Sequence, residues 1–364
     1  RALTTKYAET KLVGMFFRSA KDLTVTEWIG NGTNYTTNAM ISATELRNPD
    51  TGAGFYFTIH GNSTITTREE FQLTVTTSVG RLRIPRHASS IVLDGPQSKV
   101  IVTDFKFGSS HIVYSTAEVL STSTVGHRNT LVLWVPTGEA VEFSLKGAKQ
   151  GSMLRCDGCS SHDIIQGRQQ LSVVISSKGR GMAVANIDDN LTVVVVDRSF
   201  AYTMWAPTLS ASPAAEANDT VIVRGPYLVR SASISGSIIA VTGDLNATTT
   251  IEVWPPRNAT KLSWNGRNVN IQVTDYGSLI AILQGPTSNI TLPALTSWRV
   301  ADSLPERLPS YNDSWWTPAN HTSTPNPYPP QTLPVLYIDD YGYHIGTHLW
   351  RGHFTGSASG VYLN

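Results

Sequence analysis

Short alternating runs, bounded by turn residues, leave this chain little choice but β-structure. Phe71–Val79 (FQLTVTTSV) and Arg81–Pro85 (RLRIP) alternate apolar and polar residues. The alternation is looser in Lys99–Phe107, Thr130–Pro136 and Ala140–Gly147. Each run is β-branched, short and bounded by Gly, Pro, Asn or Asp, as half-buried strands are. The sharpest local signal is Lys261–Val273 (KLSWNGRNVNIQV), where Asn265-Gly266 accepts positive φ at both turn positions and predicts a type I′ hairpin. Amphipathic helices are almost absent. The exception is DRSFAYTMWAP, where Asp197 or Ser199 caps one short helix that Pro207 ends. The fold class is therefore all-β, in tandem antiparallel sandwiches with one short helix.

At 364 residues the chain has room for two or three domains. Two composition shifts suggest the divisions. Pro207–Asp219, rich in Pro, Ala and Ser, reads as a linker. Pro309–Pro334 holds seven prolines and must be extended or looped, although Trp315 and Trp316 are able to dock it on a neighbouring surface. The expected layout is one large β-unit over 1–206, a smaller sandwich over 207–293, and an incomplete third unit over 294–364.

Charge and motifs exclude several functions. With 28 basic against 27 acidic residues the net charge is +1, without blocks of like charge, so neither nucleic acid nor an anionic membrane is the expected partner. The densest apolar stretch, Leu191–Val196, is far too short to span a bilayer. The chain starts at Arg1 with no secretory leader and is expected to be a processed or internal piece. Ten Asn-x-Ser/Thr sequons, at Asn31, Asn34, Asn62, Asn190, Asn218, Asn246, Asn258, Asn289, Asn312 and Asn320, favour a secreted, extracellular glycoprotein. Cys156 and Cys159 lie in RCDGCSS between strand-like runs, without the helix that lowers a redox thiol's pKa. In an oxidising compartment a small disulfide pinning a turn fits best, with free thiols or a weak metal contact left open.

The candidates for chemistry are few. Within ten residues stand His344, His348 and His353. On a strand His344 and His348 share a face while His353 points away, so hydrogen-bonded or solvent-facing histidines are expected rather than a metal site. Glu69-Glu70, Asp188-Asp189 and Asp339-Asp340 are adjacent carboxylates whose strand neighbours face opposite ways, which suits solvated turns better than a glycosidase pair. No GxSxG, HExxH, GxxxxGK[ST] or GxGxxG pattern occurs. No cofactor is implied. Of nine tryptophans, Trp315 and Trp316 are the best candidates for an exposed sugar-stacking platform, whereas Trp134 and Trp254 sit in strand patterns.

Several separate segments also resemble one family. DLTVTEWIGNGTNYTTNAMISATELRNPDTGAGFYF, EEFQLTVTTSVGRLRIPR and DGPQSKVIVTDFKFGSSHIVYSTAEV stand in the order seen in secreted fungal β-galactosidases of glycoside hydrolase family 35. DRSFAYTMWAP, VIVRGPYLVRSASISG, GDLNATTTIEVWPP and DYGYHIGTHLWRGHF continue that order. The resemblance implies the β-domains that follow a catalytic (β/α)₈ barrel: a second domain to about Ala206, a third over about Pro207–Pro293, and the opening of a galactose-binding-like jelly roll from Ala294. DYGYHIGTHLWRGHF is then its entry strands and GVYLN a further strand. Nothing here matches the barrel, so no catalytic residue is carried over. The implied partners are that barrel, the remaining jelly-roll domains and, through the parent, β-galactosides. One departure is Ile59-His60, where the family has an Arg-His pair. Two other readings remain: a free-standing secreted carbohydrate-binding β-sandwich protein, and an unrelated enzyme using one of the carboxylate pairs.

Overall fold

The computed structural model describes residues 3–62, 64–124, 129–177, 179–210, 219–255, 259–286 and 293–356. The chain forms two compact units, Arg1–Ser288 and Asn289–Asn364.

In the first unit the alternating runs are strands. An eight-stranded antiparallel sheet has the order Glu27–Gly32, Ile41–Arg47, Gly54–His60, Ser98–Phe107, Ser110–Ser115, Val141–Lys146, Gln170–Ser177 and Cys159–Gln166. A five-stranded sheet lies against it, ordered Glu118–Ser123, Asn129–Val135, Leu191–Asp197, Met182–Ile187 and Gly151–Cys156. Successive side chains of a strand face opposite ways. Accordingly Phe55, Phe143, Val173, Leu131, Leu133 and Val193 fill the core between the sheets, while Tyr56 and Ile101 face outward. That outer face is covered by the hairpin Leu73–Thr77 with Gly80–Ile84 and by the antiparallel pair Arg68–Phe71 and Ile91–Asp94 that brackets it in sequence, through Phe71, Leu73, Ile84 and Leu93.

A second sandwich follows. One sheet holds Met204–Trp205, Ile222–Arg224, Thr249–Trp254, Leu279–Leu283 and Gln272–Val273, and the other Leu228–Ser235, Ile238–Asp244, Lys261–Trp264 and Arg267–Val269. Val223, Val241, Ile251, Leu262 and Leu283 are buried between them. The predicted hairpin turn is present, with φ of 48° at Asn265 and 80° at Gly266. Each sandwich includes one parallel pair: Asn129–Val135 beside Leu191–Asp197, and Ile238–Asp244 beside Lys261–Trp264.

Three features differ from the sequence reading. First, there is a 15-residue helix, α1 (Thr5–Ser19), capped by Thr4. Its buried Leu12, Met15 and Phe16 follow i, i+3, i+4 spacing, but exposed Val13 and Phe17 and the mid-helix Gly14 blur the stripe. Leu12 and Met15 pack with Trp134, Val194 and Trp254, so α1 sits at the join of both sandwiches. Lys11 Nζ donates to the carbonyls of Tyr202 (2.7 Å) and Met204 (2.8 Å), and Arg18 donates to that of Ala206 (3.0 Å). The predicted short helix is a single turn, α2 (Arg198–Ala201), whose Asp197 cap accepts from Ser199 N at 2.7 Å; it ends well before Pro207.

Second, Pro207–Asp219 is not an inter-domain linker. Its ends pair antiparallel (Leu209 N to Asp219 O, 2.6 Å; Val221 N to Pro207 O, 3.1 Å), which makes it a loop between adjacent strands of one sheet. Third, the predicted entry strands over Asp340–Phe354 are not strands. Ile338–Tyr341 is a 3₁₀ turn, and among the described residues of the second unit no segment pairs with the run to satisfy a strand's backbone groups. GVYLN lies outside the described residues. The second unit is tied together instead by Arg351, which donates to the carbonyls of Tyr311 (3.0 Å), Leu308 (3.0 Å) and Glu306.

Candidate functional site

Carboxylates come first, because hydrolysis of a glycosidic bond needs two of them open to substrate. The buried ones are occupied. Glu142, fully buried, accepts from the backbone N–H groups of Arg86 (2.9 Å), His87 (2.7 Å) and Ala88 (2.7 Å) and from the Tyr114 hydroxyl (2.5 Å). Glu252 is bound by Arg224 (2.8 Å), Tyr276 (2.9 Å) and Ser278 (2.7 Å), and Glu45 by Arg47 (2.7 Å) and Tyr56 (2.8 Å). These contacts tie neighbouring strands and loops together.

One cluster is electrostatically unusual. Lys99 pairs with Glu139, both side chains being under 10% exposed. The nearby Glu118 accepts from Val100 N at 3.0 Å. Desolvation, with the Glu139 charge adding to it, pushes the Glu118 carboxyl up to about 7 against the pull of Lys99 and Arg198. Desolvation raises Glu139 as well. Local pattern reading missed this cluster because its members come from separate segments. The one available signal is a lysine opening the β-branched run KVIVTDF.

The carboxylates picked out from sequence are surface groups with local partners. Glu69 accepts from Asn38 (2.8 Å) and Thr67 (2.7 Å), and Glu70 from Ser90 (2.9 Å). Asp188 accepts from the N–H groups of Lys149 and Gln150, and Asn186 donates to Asp189 at 3.3 Å. Asp339 faces His344 (3.1 Å), while Asp340 accepts from Thr324 (3.2 Å). The three terminal histidines are not brought together. His344 meets Asp339, His353 meets Asp313 (2.6 Å), and His348 lies 5.1 Å from the Tyr343 ring. Among the described residues no group of three His, Cys, Asp or Glu side chains is placed to hold a metal.

Cys156 and Cys159 form a disulfide with Cα atoms 5.5 Å apart, at the turn that passes from one sheet of the large sandwich to the other. Asn31, Asn34, Asn62, Asn190, Asn246, Asn312 and Asn320 are exposed, whereas Asn218, Asn258 and Asn289 lie outside the described residues.

The second unit holds a pocket of about 850 Å³. Trp315, Trp316, Tyr341, Tyr343 and Trp350 supply its aromatic wall. Trp315 is 72% exposed, whereas Trp316 is fixed edge-on to it and stacked under Arg351. Trp350 stands edge-on to Tyr341 at 5.4 Å and is 43% exposed. Asp313, held by Arg351 (3.4 Å) and His353, adds an acidic edge, and these partners hold its carboxyl below the usual range. Two side-chain atoms of lining residues, Glu306 Oε2 and His348 Nε2, are sealed from solvent and have no partner among the described residues. Each such atom costs about 1–3 kcal/mol unless a ligand or water meets it. Of these residues, sequence reading anticipated only Trp315 and Trp316.

Comparison with known proteins adds the following. Residues 23–204 match the family profile "Beta-galactosidase, domain 2", residues 205–280 "Beta-galactosidase, domain 3", and residues 311–364 "Beta-galactosidase second all-beta domain". The chain is 55% identical over 368 residues to "Probable beta-galactosidase B" of Sclerotinia sclerotiorum. It is 53% identical over 366 residues to the protein of that name in Neosartorya fischeri, and 50% over 368 residues to that in Aspergillus niger. Each match covers all of this chain and 36% of the relative's length.

Proposed function

We infer function from one premise: this chain belongs to the β-galactosidase family, as a β-domain portion that spans 36% of the length of its curated relatives. It serves as the non-catalytic β-region of a secreted enzyme of glycoside hydrolase family 35, one that removes terminal β-D-galactosyl residues with retention. In that enzyme it buttresses a catalytic (β/α)₈ barrel and the remaining jelly-roll strands, and alone it is inert. The single observation that carries this reading is the engagement of its buried carboxylates. Glu45, Glu139, Glu142 and Glu252 are each bound by Arg, Lys, Tyr or backbone N–H groups, and Glu118 accepts from Val100 N, so each serves a structural contact.

A surface suited to buttressing supports it. Val13 and Phe17 lie one turn apart on the outward side of α1, at 54% and 50% exposure, and Trp28 (65%) and Ile29 (49%) are exposed on the first strand. Burying these side chains against another protein part would remove apolar surface from water. Seven exposed sequons favour passage through the secretory route. The test is reconstitution. The chain is mixed with the separately produced N-terminal barrel portion of a relative, and co-elution is measured together with thermal stability. Stable association that Phe17→Asp abolishes, without lowering the chain's own melting temperature, is expected. No association at micromolar concentrations would overturn the buttress role.

A further inference from the structure

We propose that Asn31 carries an N-linked glycan whose first N-acetylglucosamine packs on the indole of Trp28. This rests on the secretory part of the proposed function, and it divides the exposed apolar surface: the chain's own sugar covers Trp28, while Val13 and Phe17 are left for another protein part. The geometry behind it is a bulge. Glu27–Gly32 is a rim strand of the eight-stranded sheet, paired with Ile41–Arg47 alone among the described residues. Trp28 stands opposite Leu46, Gly30 opposite Glu45 and Asn31 opposite Thr44, so Ile29 is an extra residue. On a regular strand, residues three apart face opposite ways. Here the extra residue brings Trp28 and Asn31 to one face, because their partners Leu46 and Thr44 are only two apart. Gly30 between them faces the other way: the Tyr35 hydroxyl lies 2.8 Å from where a Cβ on Gly30 would stand, on the side where Tyr56 meets Glu45.

Same-face neighbours along a strand are about 7 Å apart, so a sugar attached to Asn31 starts beside the indole. Trp28 is 65% exposed and Asn31 is exposed too. Asn31-Gly32-Thr33 supplies the acceptor sequence. In the transfer, Asn31 Nδ2 bonds to C1 of a lipid-linked oligosaccharide, the bond from C1 to the lipid pyrophosphate breaks, and Nδ2 gives up one proton. The pyranose then offers a C–H-rich face to the flat ring and keeps its hydroxyls in water. A free sugar meets a single exposed indole weakly. Attachment three residues away holds it at an effective concentration of about millimolar or more, so even a weak stack is populated.

The full chain is secreted from a yeast host, and the occupancy of each sequon is read by peptide mass spectrometry. Hydroxyl-radical footprinting then follows oxidation of Trp28 with the glycan intact, after endoglycosidase H has trimmed it to one sugar, and in Asn31→Gln. Oxidation should be about 2-fold slower in both sugar-bearing forms than in Asn31→Gln, since one of the two ring faces is covered. Asn34→Gln should leave that protection in place, which separates Asn31 from the neighbouring sequon. Trp28→Ala should lower the melting temperature of the glycosylated chain by about 2 °C and leave that of Asn31→Gln nearly unchanged, the coupling that direct contact produces. Glycans elsewhere with Asn31 bare would overturn this proposal and leave the secretory reading standing, whereas a chain bare at every sequon would overturn both. Equal oxidation of Trp28 in all forms, protection lost with the outer sugars or with Asn34→Gln, or a Trp28→Ala shift of the same size with and without the glycan would overturn the contact.

Discussion

Replacing Glu118 by Gln should stabilise this chain above neutrality and change little at pH 5. Desolvation holds the Glu118 carboxyl near 7 in the folded chain, against an ordinary value of 4.5. Between those two pH values the folded state keeps a proton that the unfolded chain has released. Stability therefore falls as pH rises through this window, by about 1.4 kcal/mol per unit. Across the whole window the loss is at most about 3 kcal/mol, and partial solvent access at Glu118 reduces it to about 1–2 kcal/mol. Gln retains the oxygen that accepts from Val100 N–H at 3.0 Å and has nothing to ionise. Glu139 shifts in the same direction but is present in both proteins, so it largely cancels in the comparison. The assay is urea unfolding followed by tryptophan fluorescence at pH 5 and pH 8. A gain confined to pH 8 is the expected result. A loss at pH 8, or the same change at both pH values, would refute the desolvation argument.

Substitutions at three further positions test the structural account. Glu142→Ala strands three backbone N–H groups and the Tyr114 hydroxyl and should cost about 3–5 kcal/mol in urea unfolding; a loss under about 1 kcal/mol would show that the Arg86–Ala88 turn does not depend on it. Cys159→Ser opens a bridge only three residues apart in sequence, so the melting experiment should show a loss of about 2 kcal/mol or less. Gly266→Val forces a β-branched residue into φ of 80° and should cost about 1–2 kcal/mol, a penalty that Gly266→Asn should largely avoid because Asn tolerates the left-handed region.

Period-2 patterning and turn chemistry made the strands legible, because alternation is set by the pleat and by which face is buried. In Leu73–Thr77 the buried Leu73, Val75 and Thr77 alternate with the more exposed Thr74 and Thr76, and Asn265-Gly266 lies where positive φ is required. Asp197 was likewise readable as a cap, since a carboxylate beside an N-terminal N–H is a local arrangement. Helix α1 was not legible, because Val13 and Phe17 are apolar on its exposed side and so dilute the stripe. A Pro-, Ala- and Ser-rich composition gives Pro207–Asp219 the look of a linker, whereas its role is fixed by pairing between Pro207 and Val221. The Lys99–Glu139–Glu118 cluster and the pocket from Glu306 to Trp350 were beyond reach for a common reason. Their members are brought together by tertiary structure, which a local pattern does not encode.

The most direct test of the central claim is hydrolysis of a chromogenic β-galactoside by the purified chain, with intact mass showing that no other protein is present. The account predicts no turnover above the buffer blank, because its buried carboxylates are engaged in structural contacts. Turnover that co-purifies with the chain and is abolished by Glu118→Gln or Glu139→Gln would contradict it, and would make the Lys99 cluster an active site.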